Sequence, residues 1–412
     1  KGNALPSSVT AGPEVRYVIS GFSLSRLPEI HFGSGTLARI PLLVRQYGQR
    51  VLFITGGRSF PLSPHRDELL AGFRNQSIDW LEWRVESEPS PQLVDDAVQM
   101  FRKERLEAVV AVGGGSVLDA GKAVAGLLPT GRSVLDYLEG AGPELPYTGP
   151  ALPYIAAPTT AGTGSEATKN AVLSVQGEHG FKKSFRHDLL VPRHSVVDPR
   201  LLATCPKQLI AANGMDALTQ LLEACVSLRA NPMVEALAWS GLEAVRDGLL
   251  DWYVNESDAS DSQARMAYAA LMSGIALAQA GLGSVHGLAS PLGAFFPIPH
   301  GVVCGTLVAE ATETNIAALR ARAQQSPALE KYARIGRLLV GNNDMNDREA
   351  QAALVEVLRQ WTRQLNLPRL GDYGVREGHV AKVVANCRGS SMKTNPIVLT
   401  NEEISELLIR RL

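Results

Sequence analysis

The most constraining feature of this sequence is the segment 266–309, which contains no Asp, Glu, Lys or Arg. A solvated surface carries charges, so this segment is expected to be buried on most sides. Polar residues such as Gln279 and Ser284 interrupt the apolar run, whereas a membrane span needs about 20 predominantly apolar residues in a row. The segment therefore predicts a core helix of a soluble domain, then a glycine-rich turn, then two histidines, His286 and His300, that face a pocket.

Length, charge and composition exclude several classes of protein. The chain has 412 residues, which favours two domains, and its hydrophobic content of 45% supplies ample core for both. The 40 basic and 41 acidic side chains leave a net charge of −1, so no basic field predicts binding to nucleic acid or to a membrane. The four cysteines form no CxxC pair, and residues 1–14 form no signal-peptide-like apolar run, which together favour the cytoplasm.

The first half of the chain alternates between short apolar runs and helical patterns, which is typical of an α/β fold with a mostly parallel, Rossmann-like sheet. We predict strands within 15–33 and at 51–55, 80–85, 108–112, 153–160 and 195–199, the last closing the sheet, and helices at 37–47, 66–75, 91–102 and from Val117. After Pro206 the apolar residues follow helical spacing almost to Leu412. This shift predicts an α/β domain at 1–205 and an all-helical domain at 206–412.

A glycine-rich turn (GGGS, 113–116) separates one predicted strand from the helix that follows it. Glycines lack Cβ atoms, so backbone N–H groups can approach a pyrophosphate at the helix N-terminus, where the dipole favours an anion. The turn matches neither GxGxxG nor a Walker A loop, and a purely structural turn explains it about as well. Asp119 and Lys122, one turn on, either cap the helix or face the ligand. A second polar loop at 159–166 also follows a strand, which makes a dinucleotide the leading ligand.

The pattern NGMDALTQLLEA places Asp216 and Gln220 on one helix face, because they are four residues apart. A carboxylate in so apolar a helix is costly unless a cation or a hydrogen-bond network compensates it. Together with His286 and His300 the set offers oxygen and nitrogen ligands that suit a divalent metal. Either histidine alone is more often a satisfied core imidazole.

Four motifs carry a resemblance to a known family: GGGSVLDAGKAVAGLL (113–128), APTTAGTGSEAT (157–168), NGMDALTQLLEACVS (213–227) and GLGSVHGLASPLGAFFPIPHGV (281–302). The chain resembles the iron-containing (group III) alcohol dehydrogenases from Phe22 to its end. The resemblance implies a dehydroquinate synthase-like architecture with the active site in the cleft between a dinucleotide domain and a helical metal domain. Its implied cofactor residues are Gly114, Gly115, Ser116, Asp119, Thr159, Thr160, Thr163 and Lys182, with Ser90 where the family often has Asn.

Two positions depart from the family pattern of one Asp and three His around the metal. The first family histidine falls at Gln220, and a further histidine, used near the substrate, falls at Ser290. An amide oxygen is a weaker ligand than imidazole, so we expect reduced metal affinity or loss of the metal. The alternative is that Gln220 still ligates through its oxygen. The resemblance implies iron or zinc bound by Asp216, Gln220, His286 and His300, with Asp216, His286 and His300 as the catalytic set.

The turn after the strand 51–55 bears on the choice of cofactor. The family often places an acidic residue there that binds the adenosine ribose of NAD, but this chain has Gly56, Gly57, Arg58 and Ser59. Without that carboxylate, and with Arg58 and Ser59 able to bind a 2′-phosphate, NADP is favoured. A solvent-exposed loop arginine is the alternative, and it leaves NAD possible.

These observations predict an NAD(P)-dependent, metal-assisted oxidoreductase that interconverts a primary alcohol and an aldehyde. Three alternatives stay open: a metal-free reductase resembling maleylacetate reductase, a lyase resembling dehydroquinate synthase, and a pseudoenzyme that binds nucleotide without turnover. We expect a small-molecule substrate, a homodimer, and no nucleic-acid or membrane partner.

Overall fold

A six-stranded sheet organises the N-terminal half of the computed structural model, which describes residues 21–255 and 260–412. The strands along the chain are β1 (Glu29–Phe32), β2 (Arg50–Gly56), β3 (Asp79–Val85), β4 (Ala108–Gly113), β5 (Tyr154–Pro158), β6 (Asn170–Val175), β7 (Phe181–Arg186) and β8 (His194–Val197). The sheet has the order β1-β8-β5-β4-β2-β3, with every neighbouring pair parallel. Its central strands are buried on both faces, which explains their continuous apolar runs.

Helices cover the sheet and then form the second half of the fold. Around the sheet lie α1 (Ile40–Arg45), α2 (Pro64–Asn75), α3 (Pro91–Phe101) and α4 (Gly115–Leu127). The second half contains α5 (Lys207–Val226), α6 (Pro232–Asn255), α7 (Ser260–Ala280), α8 (Ser284–Phe295), α9 (His300–Arg322), α10 (Pro327–Val340), α11 (Asp347–Gln364), α12 (Glu377–Asn386) and α13 (Asn401–Ile409). No strand follows β8 in the described part of the chain. The predicted fold class, an α/β sheet followed by an all-helical region, is confirmed.

Three details differ from the sequence prediction. Strand β8 does not close the sheet, because β1 pairs outside it and forms the edge. The helix predicted at 37–47 is a 3₁₀ turn at Thr36–Arg39 followed by the short α1. The antiparallel hairpin of β6 and β7 was not predicted, because the sequence of β7 (FKKSFR) is too polar to show a buried strand. The part of the first predicted strand at 15–20 lies outside the described residues.

The charge-free segment 266–309 forms the core that the sequence predicted. Most of α7 is buried, and a turn at 281–283 leads into α8, in which all residues except the half-buried Ser290 and Phe295 are buried. Gly281 has a φ of +71°, a conformation that side chains strongly disfavour. Among the described residues no single helix is long and apolar enough to cross a membrane; α7 and α8 meet the length and composition only as a pair bent by 100°.

A contact between two glycines joins the loop after β5 to helix α7. Gly164 has a φ of +62°, and a Cβ built on it would lie 2.3 Å from Cα of Gly274. A Cβ on Gly274 would lie 2.3 Å from the carbonyl oxygen of Gly164. The two backbones therefore touch, and this brings the polar loop 159–166 against the helical half.

Candidate active site

A cleft of about 500 Å³ lies where the carboxyl ends of the strands meet the helical half. Open α/β sheets bind ligands at this edge. Predicted site residues from both halves line it: Gly115, Ser116, Asp119, Thr163 and Lys182 on the sheet side, and Gln220, His286 and His300 on the helical side. The glycine-rich turn and the two histidines, His286 and His300, are far apart in sequence but line the same cleft.

The sheet side of the cleft is built from two loops in contact. Gly114 precedes the first turn of α4, and a Cβ on Gly115 would lie 2.8 Å from the Thr163 side chain. A Cβ on Gly114 would lie 3.4 Å from the Thr160 methyl group, and the Thr159 N–H donates to the Gly113 carbonyl at 3.0 Å. The glycines let the second loop close over the N-terminus of α4, where helix N–H groups favour a phosphate.

Asp119 and Lys122 hold the second loop in place rather than capping α4. The fully buried Lys122 ammonium donates to the carbonyls of Ser165 and Asn170 at 2.8 and 2.7 Å, and to the hydroxyl of Thr168 at 3.0 Å. Burial lowers the pKa of Lys122 to about 8, although Asp119 and Glu166 oppose the shift. Asp119 accepts from the Val172 N–H at 3.2 Å and also lines the cleft.

Ser90 and Lys182 have defined local roles. The Ser90 hydroxyl caps α3 by accepting from the Leu93 N–H at 3.1 Å. Lys182, on the unpredicted hairpin, lies 3.1 Å from Glu88, and both residues line the cleft. Burial alone raises the pKa of Glu88, but Lys182 and the Ser174 hydroxyl outweigh it, and the pKa is lowered overall.

The predicted cofactor turn carries an acidic neighbour that the sequence did not reveal. Gly56 ends β2, and Arg58 and Ser59 follow it on the surface. A Cβ on Gly57 would lie 3.3 Å from Cγ and 3.5 Å from Oε1 of Glu86. Glu86 follows β3, whose register pairs Gly56 with Val85, so the carboxylate arrives from the adjacent strand.

On the helical side four buried or half-buried donors converge: Asp216, His286, His300 and Cys304, with ligand atoms all within 4.8 Å of one another. The Asp216 Oδ1 atom lies 3.2 Å from Nε2 of His286 and 3.7 Å from Nε2 of His300. The Cys304 sulfur lies 3.6 and 3.7 Å from the same two nitrogens. The sequence predicted the first three residues but missed Cys304, which the spacing HGVVC would have placed on the same helix face as His300.

Glu223 fixes the orientation of His286. Its Oε2 atom lies 2.7 Å from Nδ1 of His286, and its Oε1 atom accepts from the Val285 N–H at 2.7 Å. Glu223 was also missed, although it follows Asp216 by seven residues, two turns along α5. Gln220, which lies between Asp216 and Glu223 in the sequence, lines the cleft. Its Oε1 atom accepts a hydrogen bond from the Ser273 hydroxyl at 2.6 Å.

Burial and mutual charge set the protonation of the cluster. Burial lowers the pKa of His300 to about 4, against the opposing effect of Asp216, so its imidazole is neutral near pH 7. Burial alone raises the pKa of Asp216, but His300 and His286 outweigh it, and the carboxyl pKa is lowered overall. Burial raises the pKa of the Cys304 thiol to about 12.

The cluster fits a divalent metal. Oδ2 of Asp216 and Nδ1 of His300 are buried and have no hydrogen-bond partner. A buried carboxylate oxygen without a partner costs free energy, and a cation would remove that cost. Carboxylate, imidazole and thiolate are all ligands of first-row divalent ions.

Ser290 lies one turn after His286 on α8 and lines the cleft, as its spacing predicted. Its hydroxyl donates to the Lys182 carbonyl at 3.1 Å. The neighbouring aromatic rings turn elsewhere: Phe295 lies under the Lys382 ammonium, and Phe296 packs on His379. The space left by the smaller side chain is therefore part of the cleft.

The fold and the cleft together define a class, the dinucleotide-linked oxidoreductases that use a metal in a helical domain. Comparison with protein families makes the assignment specific. The family described as iron-containing alcohol dehydrogenase matches residues 28–199, and the description Fe-containing alcohol dehydrogenase family, C-terminal, matches residues 210–412. The chain belongs to this family, as its motifs predicted, and is an alcohol dehydrogenase enzyme.

Individual relatives agree with the family. Alcohol dehydrogenase 4 of Schizosaccharomyces pombe is 32% identical over 404 residues, which cover 97% of this chain and 90% of the relative. The crystal structure of a 1,3-propanediol oxidoreductase superposes with a TM-score of 0.86 at 27% identity, covering 95% of this chain and 100% of that one. Sulfoacetaldehyde reductase from Bifidobacterium kashiwanohense, solved with NAD⁺, gives a TM-score of 0.82 at 25% identity, with coverages of 95% and 99%.

Proposed function

We propose that this chain reduces an aldehyde, or oxidises the corresponding primary alcohol, with NADP(H) as the hydride carrier and a divalent metal held by Asp216, His286 and His300. The observation that carries the proposal is that His286 and His300 line the same cleft as Gly115 and Ser116 at the N-terminus of α4, and that the ligand atoms of Asp216 and the two histidines lie within 4.8 Å of one another. A domain at 1–205 would bind the dinucleotide, and a domain at 206–412 would hold the metal.

The side chains of the site have different proposed roles. A bound divalent metal would polarise the carbonyl oxygen of the aldehyde and stabilise the alkoxide. His300 is neutral near pH 7 and presents Nε2 to the cluster, as a metal ligand must. The carboxylate of Asp216 supplies negative charge in a buried position. Lys182 and Ser290 lie along the wall, where they would orient the bound molecules and carry protons through Ser290 or water.

Cofactor binding is proposed for Gly114, Gly115, Ser116, Thr159, Thr160 and Thr163 around the phosphates, with Asp119, Lys182 and Ser90 nearby. Gly56, Arg58 and Ser59 would surround the adenosine ribose. Arg58 and Ser59 favour the 2′-phosphate of NADP, whereas Glu86 beside Gly57 opposes it by charge repulsion. A homodimer is also proposed, and the widely spaced cysteines favour a cytoplasmic location; sedimentation of the purified protein and cell fractionation would test these two proposals.

The proposal is tested by following NADPH oxidation with a panel of aldehydes before and after removal of bound metal with a chelator. We expect activity to be lost on chelation and restored by a divalent ion. Asp216→Asn should lower kcat/KM by more than about a hundredfold, whereas the exposed Asp344→Asn should leave it unchanged. Activity that survives complete metal removal would support the metal-free reductase instead. Tight dinucleotide binding without turnover of any aldehyde or alcohol would support the pseudoenzyme.

A further inference from the structure

Cys304 places a sulfur atom in the middle of the buried cluster. It follows His300 by four residues on α9, so both side chains extend from the same face of one helix. The thiol is fully buried, and its sulfur lies 3.6 Å from Nε2 of His286 and 3.7 Å from Nε2 of His300. A sulfur that contacts both imidazoles and shares the cluster with Asp216 is placed as a ligand would be.

The separations between donors match those around a tetrahedral ion. Zinc–sulfur bonds of about 2.3 Å and zinc–nitrogen bonds of about 2.0 Å place a sulfur and a nitrogen about 3.6 Å apart at the tetrahedral angle. The two sulfur–nitrogen separations in the cluster are 3.6 and 3.7 Å. An oxygen and a nitrogen are expected about 3.3 Å apart, and the Asp216 oxygen lies 3.2 and 3.7 Å from the two nitrogens.

Gln220, which occupies the position of the missing family histidine, has another partner. Its side-chain oxygen accepts the hydrogen bond of Ser273 at 2.6 Å, and Ser273 is fully buried on α7. The amide is also the weaker type of ligand for a first-row divalent ion. The buried Oδ2 atom of Asp216 has no hydrogen-bond partner, which is a second observation that favours a cation at this cluster.

We propose that Cys304 is the fourth metal ligand, so that a thiolate on α9 replaces the imidazole that the family carries on α5, and that the site prefers zinc to iron(II). The inference rests on the proposed function in one respect, that the cluster binds a divalent metal. The thiol proton is released to solvent as the metal–sulfur bond forms, so charge and atoms balance. Two anionic ligands then neutralise the ion, whereas one carboxylate and three imidazoles would leave a net charge of +1. Soft thiolate ligands favour zinc over harder competitors.

Cobalt(II) provides the direct test, because it substitutes for zinc and a cobalt–thiolate bond adds a charge-transfer absorption in the near ultraviolet. Metal-free protein is titrated with cobalt(II), and the visible and near-ultraviolet spectra are recorded. We expect ligand-field bands of a four-coordinate site together with the thiolate band, both saturating at one equivalent. The cluster of Glu29, His31 and His194 on β1 and β8 has no sulfur donor, so cobalt bound there gives no thiolate band.

The variants identify the sulfur. Cys304→Ser should abolish the thiolate band and lower the affinity for zinc by at least tenfold. Cys387→Ser is the matched control, because Cys387 is equally buried and its thiol donates to the Val384 carbonyl, a bond that a serine hydroxyl can keep. In competition with equimolar iron(II) under anaerobic conditions, the unmodified protein should retain zinc, and Cys304→Ser should lose part of this preference.

The outcomes separate this inference from the proposed function. Ligand-field bands without a thiolate band in the unmodified protein would overturn the role of Cys304 and leave metal-assisted catalysis intact. A thiolate band that survives Cys304→Ser would overturn it as well. Failure of the folded protein to bind cobalt, zinc or iron would overturn the proposed metal site itself.

Discussion

The Oε2 atom of Glu223 accepts a hydrogen bond from Nδ1 of His286 at 2.7 Å, which leaves Nε2 of that ring facing Asp216. A carboxylate that holds a ligating histidine in this way fixes its tautomer and raises its basicity. We expect Glu223→Gln to raise the dissociation constant for zinc by about 10–100-fold, measured by competition with a chromophoric chelator.

The exposed Glu243→Gln on α6 is the control for that experiment, since Glu243 accepts a hydrogen bond from Trp239 and is not part of the buried cluster. Circular dichroism of both variants should match the unmodified protein. An unchanged zinc affinity in Glu223→Gln would mean that backbone packing alone orients His286.

Two variants of the cofactor turn should move the preference in opposite directions. Arg58→Ala removes the charge proposed to bind the 2′-phosphate, so it should weaken NADPH binding and leave NADH binding unchanged. Glu86→Gln removes the carboxylate beside Gly57, so it should tighten NADPH binding. Fluorescence titrations of both cofactors measure the change. We expect NADPH to bind at least tenfold tighter than NADH to the unmodified protein, about 1.4 kcal/mol.

A third variant, Gly56→Asp, should reverse the preference for NADPH over NADH. Equal dissociation constants in the unmodified protein would contradict the assignment.

Ser290→His should act on substrate size. The imidazole would fill the space beside Lys182, so kcat/KM for bulky aldehydes should fall while that for acetaldehyde is maintained. Ser290→Ala keeps the volume and removes only the hydroxyl, so it separates size from proton transfer. If the histidine variant slows every aldehyde by the same factor, Ser290 has no part in specificity.

The buried Glu166 predicts a pH dependence of stability. Burial raises its pKa from 4.5 to about 7, against the effect of Lys122. The folded protein then retains a proton that the unfolded chain has lost, so this stabilisation is complete below the unfolded pKa and disappears as the pH rises through 7. We expect the free energy of unfolding to fall by up to about 3 kcal/mol between pH 4.5 and pH 8 through this group.

Glu166→Gln should remove that part of the pH dependence, as measured by urea unfolding at several pH values. The exposed Glu178→Gln, changed in the same way, should retain it. A pH profile that is identical in Glu166→Gln and in the unmodified protein would show that Glu166 is ionised when folded.

The sequence predicted the features that depend on local pattern. Buried parallel strands appear as continuous apolar runs, and glycines mark the turn before α4, so the sheet and the two loops that follow β4 and β5 could be placed. Asp216, His286 and His300 were selected because polar residues in an apolar setting must have partners. The structure brings these three together, while their roles in metal binding stay predictions.

The missed features depend on contacts between distant segments. Glu86 reaches the cofactor turn only because the register of β2 and β3 pairs Gly56 with Val85, and register cannot be obtained from either strand alone. The β7 hairpin is stabilised by packing against α4 and α8 rather than by an apolar pattern of its own. Cys304 looked like an ordinary core residue, because a thiol is among the side chains most often buried.

The backbone contact between Gly164 and Gly274 limits how this sequence can diverge. A Cβ atom at either glycine would meet backbone atoms of the other glycine, and no substitution removes backbone atoms. A side chain at either glycine would therefore clash with the backbone of the other. A compensating substitution at the other position would not remove that clash. Gln220 differs, because its neighbour Ser273 is a side chain that can change with it. Position 220, beside the proposed metal site, can thus change more easily than the contact between the two glycines.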